Sequence, residues 1–356
     1  MNLSEISKLP RKGAEYAPTH RLWIGGENFT ENLRTADVSY TSDGGGSGTQ
    51  MQLRGNLQDY DSAPMILSLG YGDTFVPYFT GRVQRPQYYP RLDYTSANAF
   101  GPYKLMADQI LEEDKTYEGF TLRNALNDLI KMAAYRRGEV EVRGGGEFTI
   151  EGDELYTWDN TLGEVASSLC DKAQYIGMDQ PVGKRLFRKK PRPGVIGPFK
   201  ESYSPSDYRV DAFTLSPATE VTYAKVIVQR VGKDGTQLGL YEQKVGKKQL
   251  YAPPMRRVYT VPEFLGSAAL AQQEARETAR WLRLGDYGFS FEIPMNPTLE
   301  LYDILEIKAA HRDLLYTYKC ALSGDIGVQY QAATRDAPGI ATMSLNGDAI
   351  ITQNGV

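Results

Sequence analysis

The stretch Ile66–Asp73 (ILSLGYGD), followed by Tyr78–Val83 (YFTGRV), decides the fold. Its alternating apolar and turn-forming residues predict two short strands around a Gly/Asp turn. A comparable pattern returns at Leu301–Ile307 (LYDILEI) and at Tyr316–Asp325. Two similar β modules, separated by a long segment of different texture, favour a scaffold built for assembly over a single catalytic cleft.

The size and composition of the chain limit the classes of protein to which it belongs. Its 356 residues predict two or three domains. The 24 tyrosines and 35 glycines favour strands and surfaces that contact other proteins. A net charge of -4 argues against polyanion binding by the chain as a whole. We expect no membrane span, because no apolar run reaches about 18 residues, and no secretory signal, because Met1–Gly13 lacks an apolar segment.

Few residues are available for catalysis or metal binding. The two cysteines, Cys170 and Cys320, match no metal or redox spacing, so we expect two small buried hydrophobic residues, with a disulfide left open. With His20 and His311 as the two histidines, neither a Ser/His/Asp set nor a histidine metal site is expected. The abundant carboxylates leave a sugar-cleaving pair open, although the densest cluster, at 112–114, is typical of a solvated helix end. We predict no cofactor, no metal and no catalytic residue.

The order of β and helical segments predicts an α+β fold that is mainly β. An N-terminal arm (1–19) precedes a first β-barrel (20–104). An α+β insert (105–204) follows, and its helices are predicted from Thr121 and from Thr161, each a candidate N-cap before apolar residues at helical spacing. A second β-barrel (205–335) contains a helical insertion (about 262–285). The tail (336–356) is predicted to be either an added strand or a contact arm.

This order of elements resembles the tail-hub proteins of phages and phage-like injection machines, which include the late-control D family and baseplate hubs. Three stretches carry the likeness: Ile66–Val83, the middle unit Thr121–Pro191 with its TLGEVA helix, and the helix at 267–284 with the strands after it. Together they span about residues 20 to 330. The turn at Asp303-Ile304 lacks the family's preceding glycine, and nothing after residue 335 matches.

The resemblance implies two similar β-barrels with the insert between them and a homotrimer. From the residues themselves, no enzymatic activity is expected. Three copies of a two-barrel chain would offer six quasi-equivalent surfaces to a hexameric tail tube. Exposed sheet edges would add strands across chains. The implied location is the virion tail tip, assembled in the host cytoplasm. The implied partners are the tail tube, distal tail proteins, the tape-measure protein and a central tip or spike, with DNA passing through the channel without specific binding.

Two alternatives stay open at this stage. One is a glycan-binding or glycan-degrading tail-tip protein. The other is the hub of a contractile injection or secretion system, which the sequence does not separate from a phage hub. Trp23, Trp158 and Trp281 are interpreted as core or interface anchors rather than sugar platforms.

Two basic stretches are candidate partner contacts. The first has six cations in nine residues, from Lys184 to Arg192, and the second surrounds Pro253-Pro254. Nucleic-acid binding is one interpretation of the first stretch. A solvated strand and linker against an acidic neighbour is preferred, because a channel in which DNA slides should not grip phosphates. The candidate residues are Lys184, Arg185, Arg188, Lys189, Lys190, Arg192, Lys247, Lys248, Arg256 and Arg257.

Overall fold

The computed structural model describes residues 17–42, 46–136, 138–150, 155–190, 201–203, 213–217, 222–231, 236–245, 256–264, 267–284, 287–311 and 314–354. The first part of the chain is an antiparallel β unit. Its strands alternate inward apolar and outward polar residues, as in LRTADVSY at 33–40. They are β1 (Pro18–Ile24), β2 (Glu27–Asn28), β3 (Leu33–Tyr40), β4 (Ser47–Arg54), β5 (Pro64–Tyr71), β6 (Thr74–Tyr89) and β7 (Tyr94–Phe100).

An α+β insert follows, and two of its three helices begin where the capping residues predicted. Thr121 accepts a hydrogen bond from the Asn124 amide. Thr161 and Glu164 form a reciprocal capping box. The helices are α1 (Tyr103–Ala107), α2 (Leu122–Met132) and α3 (Leu162–Ala173), and the strands are β8 (Lys115–Thr116), β9 (Val140–Val142), β10 (Leu155–Tyr156), β11 (Tyr175–Gln180) and β12 (Lys184–Lys189).

A further three-stranded sheet follows the insert in sequence and precedes the last β unit. Its middle strand buries Val226 and Val228 completely, and these pack in one core with the inner face of the following helix, including Ala271 and Ala275. The elements of this region are β13 (Glu201–Tyr203), β14 (Thr214–Pro217), β15 (Thr222–Val231), β16 (Gln237–Lys244), β17 (Arg256–Phe264) and α4 (Ala268–Leu284). The order within the small sheet is β16-β15-β17.

The last β unit contains β18 (Tyr287–Pro294), β19 (Ile304–His311), β20 (Leu314–Ala321), β21 (Ile326–Gln331) and β22 (Ile340–Asn354). Of the two forms left open for the tail, the added strand is the one found. Strand β22 pairs with β18, β20 and β21. It is therefore central to its sheet.

The two β units join edge to edge into one sheet of 14 strands. The junction is the antiparallel pairing of β3 with β21, in which Val38 lies opposite Val328. The main path of paired strands runs from β2 to β13, so among the described residues neither predicted barrel is closed by hydrogen bonds. Both units also share one hydrophobic core. The predicted α+β, mainly β fold is confirmed.

A second core lies beneath the insert. It combines α2 and α3 with β15, β17 and α4. The insertion predicted in the second barrel is therefore larger than the helix alone. It also contains the three-stranded sheet, because the apolar faces of both the sheet and the helix pack against the insert and not against the large sheet. Among the described helices, none is long and apolar enough to cross a membrane.

Candidate assembly surfaces

A buried ion pair fixes the insert to the first β unit. Asp179 on β11 lies opposite Arg185 on β12, with Arg185 Nη1 at 3.2 Å from Asp179 Oδ1. The same carboxylate accepts hydrogen bonds from the backbone N–H and hydroxyl of Ser47 on β4, at 3.1 and 3.0 Å. It also accepts the Tyr103 N–H at the start of α1, at 3.1 Å. One side chain therefore connects three elements that are distant in sequence.

The surroundings of this pair leave little freedom to move. Burial raises the pKa of the Asp179 carboxyl, while the Arg185 charge and the N–H of Tyr103 oppose the rise. The Arg185 guanidinium lies over the Tyr103 ring, 4.4 Å from its centroid. A Cβ atom at Gly101 would come within 2.6 Å of Asp179 Oδ2. The geometry is that of a tight structural junction.

Three of the six cations in the first basic stretch bind other residues of the same chain. Arg185 is only 3% exposed, so its interpretation as part of a solvated strand is wrong: the carboxylate of Asp179 draws it inside. Arg188 is half-buried and donates to the Leu301 carbonyl at 3.4 Å. Lys189 pairs with Glu277 of α4 at 3.2 Å. Lys184 and Lys190 are exposed and stay candidate contacts.

The remaining basic candidates are less completely described. Arg192, Lys247 and Lys248 lie outside the described residues. Arg256 and Arg257 begin β17, and their side chains are not among those described.

One exposed apolar surface lies on the insert, and we call it the insert ribbon (residues 110–120 and 155–161). Its two segments run antiparallel, with Leu155 opposite Thr116 and Ile110 opposite Thr161. The Trp158 N–H donates to Asp114 Oδ1 at 2.9 Å across the ribbon. The outward apolar residues are Ile110, Phe120, Leu155 and Trp158. Trp158 was predicted to be either a core or an interface anchor. Its exposure excludes the core and leaves the interface role.

A second exposed surface is the end of the β6–β7 hairpin, and we call it the hairpin tip (residues 85–94). The rings of Tyr89 and Tyr94 stack at 4.7 Å, and the Tyr88 hydroxyl donates to Asp93 at 3.2 Å. Leu92 at the turn is 65% exposed. Aromatic and arginine side chains in such a setting are typical of protein interfaces. This surface was not predicted, although the run Gln87–Tyr94 contains three tyrosines and Arg91, which is a sequence signal for a contact surface.

A third exposed pair lies on the outer face of the first β unit, where Trp23 on β1 lies opposite Ile66 on β5. Both are more than two-fifths exposed, at 44% and 43%. Trp23 is thus also outside the core. The Trp281 side chain is not among those described.

The two β units also meet through side chains. His20 on β1 has Nε2 2.7 Å from the Thr30 carbonyl oxygen and Nδ1 2.6 Å from the Tyr330 hydroxyl on β21. A carbonyl only accepts, so Nε2 carries the proton and Nδ1 of the neutral ring accepts from Tyr330. Burial lowers the pKa of His20, which agrees with a neutral ring.

The cavities lie at junctions between units. One of about 290 Å³ is bordered by Ser42 of the first β unit, Cys170 and Lys190 of the insert, and Tyr302 of the last unit. Burial raises the pKa of Cys170 to about 12, so its thiol stays protonated. Both cysteines are buried and free, which confirms their predicted state. Within the described part of the chain, no group of three His, Cys, Asp or Glu residues is placed to hold a metal ion.

Comparison with known proteins finds likeness in structure only. No protein-family profile matches the sequence, and no curated protein sequence matches it significantly. A tail protein from Neisseria meningitidis MC58 superposes with a TM-score of 0.63 at 11% identity, covering 93% of this chain and 96% of that one. The 43 kDa tail protein of prophage MuSo2 from Shewanella oneidensis gives 0.56 at 11% identity, over 92% and 97% of the two chains.

A third similar structure is prophage tail protein gp18 from Listeria monocytogenes EGD-e, with a TM-score of 0.55 at 14% identity over 92% of this chain and 94% of that one. At such identities the likeness concerns the fold. The resemblance predicted from sequence is confirmed at that level: the chain has the fold of phage tail proteins.

Proposed function

We propose that this chain is a structural component of a phage tail tip. The observation that carries the proposal is the end-to-end likeness to a tail protein, which covers 93% of this chain and 96% of that one. A match over both β units and the insert means that the whole architecture is shared. The buried Asp179 carboxylate agrees with such a role, because its hydrogen bonds to Ser47 tie the insert to the first β unit.

The finer proposal is a trimeric hub. Three copies would present six β units to the hexameric tail tube and lie between that tube and the distal tip. The tape-measure protein, the distal tail proteins and a central tip or spike would be its neighbours, and DNA would pass along its axis without sequence-specific contacts. The proposed role is non-enzymatic, since shape and closure suffice for it.

The test is the copy number of this chain in purified tails. Isotope-labelled reference peptides from this chain and from the tube protein allow both to be counted by mass spectrometry. We expect three copies of this chain per tail, against a tube count divisible by six. A chain missing from purified tails would overturn the tail role, and a copy number other than three would overturn the trimer.

An enzymatic role has its own test. The purified protein is incubated with peptidoglycan and with host surface polysaccharide, and reducing ends are measured. We expect no release above that of a heat-treated sample. Release that disappears when one carboxylate pair is replaced would contradict the structural role.

A further inference from the structure

The hairpin tip carries positive charge beside an exposed leucine. Arg85 and Arg91 are both exposed, and neither forms an ion pair with another described residue. The carboxylate of Asp93 is already shared with Arg54, at 3.5 Å. The stacked rings of Tyr89 and Tyr94 stiffen the turn that presents Leu92. The tip therefore offers an exposed leucine with Arg91 next to it in the turn and Arg85 farther back along β6, where its backbone N–H donates to Asp61 at 2.7 Å. Neither guanidinium is ion-paired among the described residues.

The insert ribbon has the opposite charge around a wider apolar surface. Its two segments contain five carboxylates and one lysine, a net charge of -4. That lysine, Lys115, is already paired with Asp128 at 2.6 Å. Glu112 and Glu113 are exposed beside Ile110 and form no ion pair with another described residue.

Neither surface is covered by the residues that the structure describes. Leu92 of the tip is 65% exposed, and Trp158 of the ribbon is 61% exposed. Exposed aromatic and aliphatic groups gathered on one surface mark contact sites. Tyrosine, tryptophan and arginine are also the residues that dominate binding energy at such sites.

We propose that the hairpin tip of one copy docks on the insert ribbon of a second copy. Leu92 would lie among Leu155 and Trp158, and the arginines of the tip would face the ribbon carboxylates. The two surfaces differ, so the contact is head-to-tail, and repetition around an axis closes a ring. The number of copies in that ring rests on the trimer proposed above. Opposite charges would steer the encounter and set the register of the contact.

Reciprocal charge reversal tests the contact. The tip variant is Arg85→Glu/Arg91→Glu, and the ribbon variant is Glu112→Lys/Glu113→Lys. We expect each variant alone to lose incorporation into tails, and the variant with all four changes to recover it. The matched control, Asp37→Lys/Asp73→Lys, reverses two exposed carboxylates elsewhere on the surface and should incorporate normally. Failure of the four-fold variant to recover, with both parents folded by circular dichroism, would overturn the pairing.

A disulfide test identifies the neighbours directly. Leu92→Cys/Leu155→Cys in one chain should give covalent oligomers in oxidised tails, because the two sites would meet between copies. Leu92→Cys/Val182→Cys, whose second site is equally exposed but off the ribbon, should stay monomeric on the gel. The native cysteines are buried and should not interfere. Tails that contain the chain but show no covalent oligomer would contradict this contact alone, whereas tails without the chain would contradict the proposed function.

Discussion

At the scale of single residues, Asp179 holds the most consequential position. Its carboxylate is shared among Arg185, Ser47 and Tyr103 in a site with almost no solvent. Removal of the charge leaves a buried guanidinium without its counter-ion, which costs about 3–5 kcal/mol. We therefore expect Asp179→Asn to lower the free energy of unfolding by several kcal/mol, measured by urea denaturation.

An exposed pair provides the control. Asp108 lies 2.6 Å from Lys104 with both side chains well exposed, at 50% and 39%. Asp108→Asn should cost less than about 1 kcal/mol, because solvent screens the pair. Equal losses in the two variants would show that the junction contributes no more than a surface contact.

His20 makes the stability of the protein depend on pH. Its pKa in the folded chain is lowered by burial, so the unfolded chain takes up a proton first as the pH falls below about 6.5. The stabilising effect is thus complete above that pH and is lost as the pH falls toward the folded-state pKa. We expect His20→Gln to flatten the stability curve between pH 7 and 5, measured by thermal melts.

An exposed neutral residue is the comparison for that measurement. Gln50→Ala, at an exposed position on β4, should leave the slope of melting temperature against pH as in the unmodified protein, because it changes no titratable group. A slope that changes equally in both variants would remove His20 from the explanation.

The helix caps were predictable from the sequence, whereas the burial of Arg185 was not. A cap depends on residues three positions apart, as Thr161 and Glu164 show. The burial of Arg185 depends instead on a carboxylate whose other partners, Ser47 and Tyr103, lie 132 and 76 positions from it. No local pattern distinguishes such an arginine from its exposed neighbours.

At the scale of elements, α3 offers a clean test of capping. Thr161 accepts from the Glu164 amide at 3.1 Å, and the Glu164 carboxylate accepts from the Thr161 amide at 2.8 Å. Thr161→Ala removes one of these bonds and should cost about 1 kcal/mol. Chemical denaturation measures this loss, and Thr161→Ser should restore most of the stability. A serine variant as unstable as the alanine variant would rule out the cap as the cause.

The boundaries of the helices were predictable, whereas the placement of β22 was not. An apolar stripe at helical spacing and a cap specify α2 and α3 from local residues alone. The segment Ile340–Asn354 belongs to a tail rich in glycine, asparagine and alanine, for which a strand and a contact arm were both left open. Its strand state comes from three partners, β18, β20 and β21, that lie elsewhere in the chain.

At the scale of the whole molecule, the shared sheet and core predict that the two β units unfold together. Leu22 is fully buried in β1 of the first unit, and Leu22→Ala should cost about 2–5 kcal/mol. Cys320 is buried in β20 of the last unit. We expect the variant to lower the urea concentration at which Cys320 becomes accessible to a thiol reagent.

Leu238→Ala, at an exposed position on β16, is the control and should leave that concentration unchanged. If Cys320 labelling were also unchanged in Leu22→Ala, the two β units would be independent folding domains.

The order of the units stays a prediction, made from the succession of β and helical segments, whereas the mainly β character of the chain is observed. The joining of β3 to β21 was not predicted, since strand partners far apart in sequence leave no local mark. For the same reason, the separate sheet of β15, β16 and β17 was not predicted. Its apolar face packs against the insert, which lies elsewhere in the sequence.

The ladder between β3 and β21 has a mechanical consequence. A pull on one β unit reaches the other through backbone hydrogen bonds arranged side by side, with Thr35 to Tyr40 facing Gln331 to Ile326. Sliding the units past each other would require these bonds to rupture almost simultaneously. Each polypeptide should thus behave as one stiff body. In the proposed hub, a change in the width of the channel would then come from movement between neighbouring copies and not within one chain.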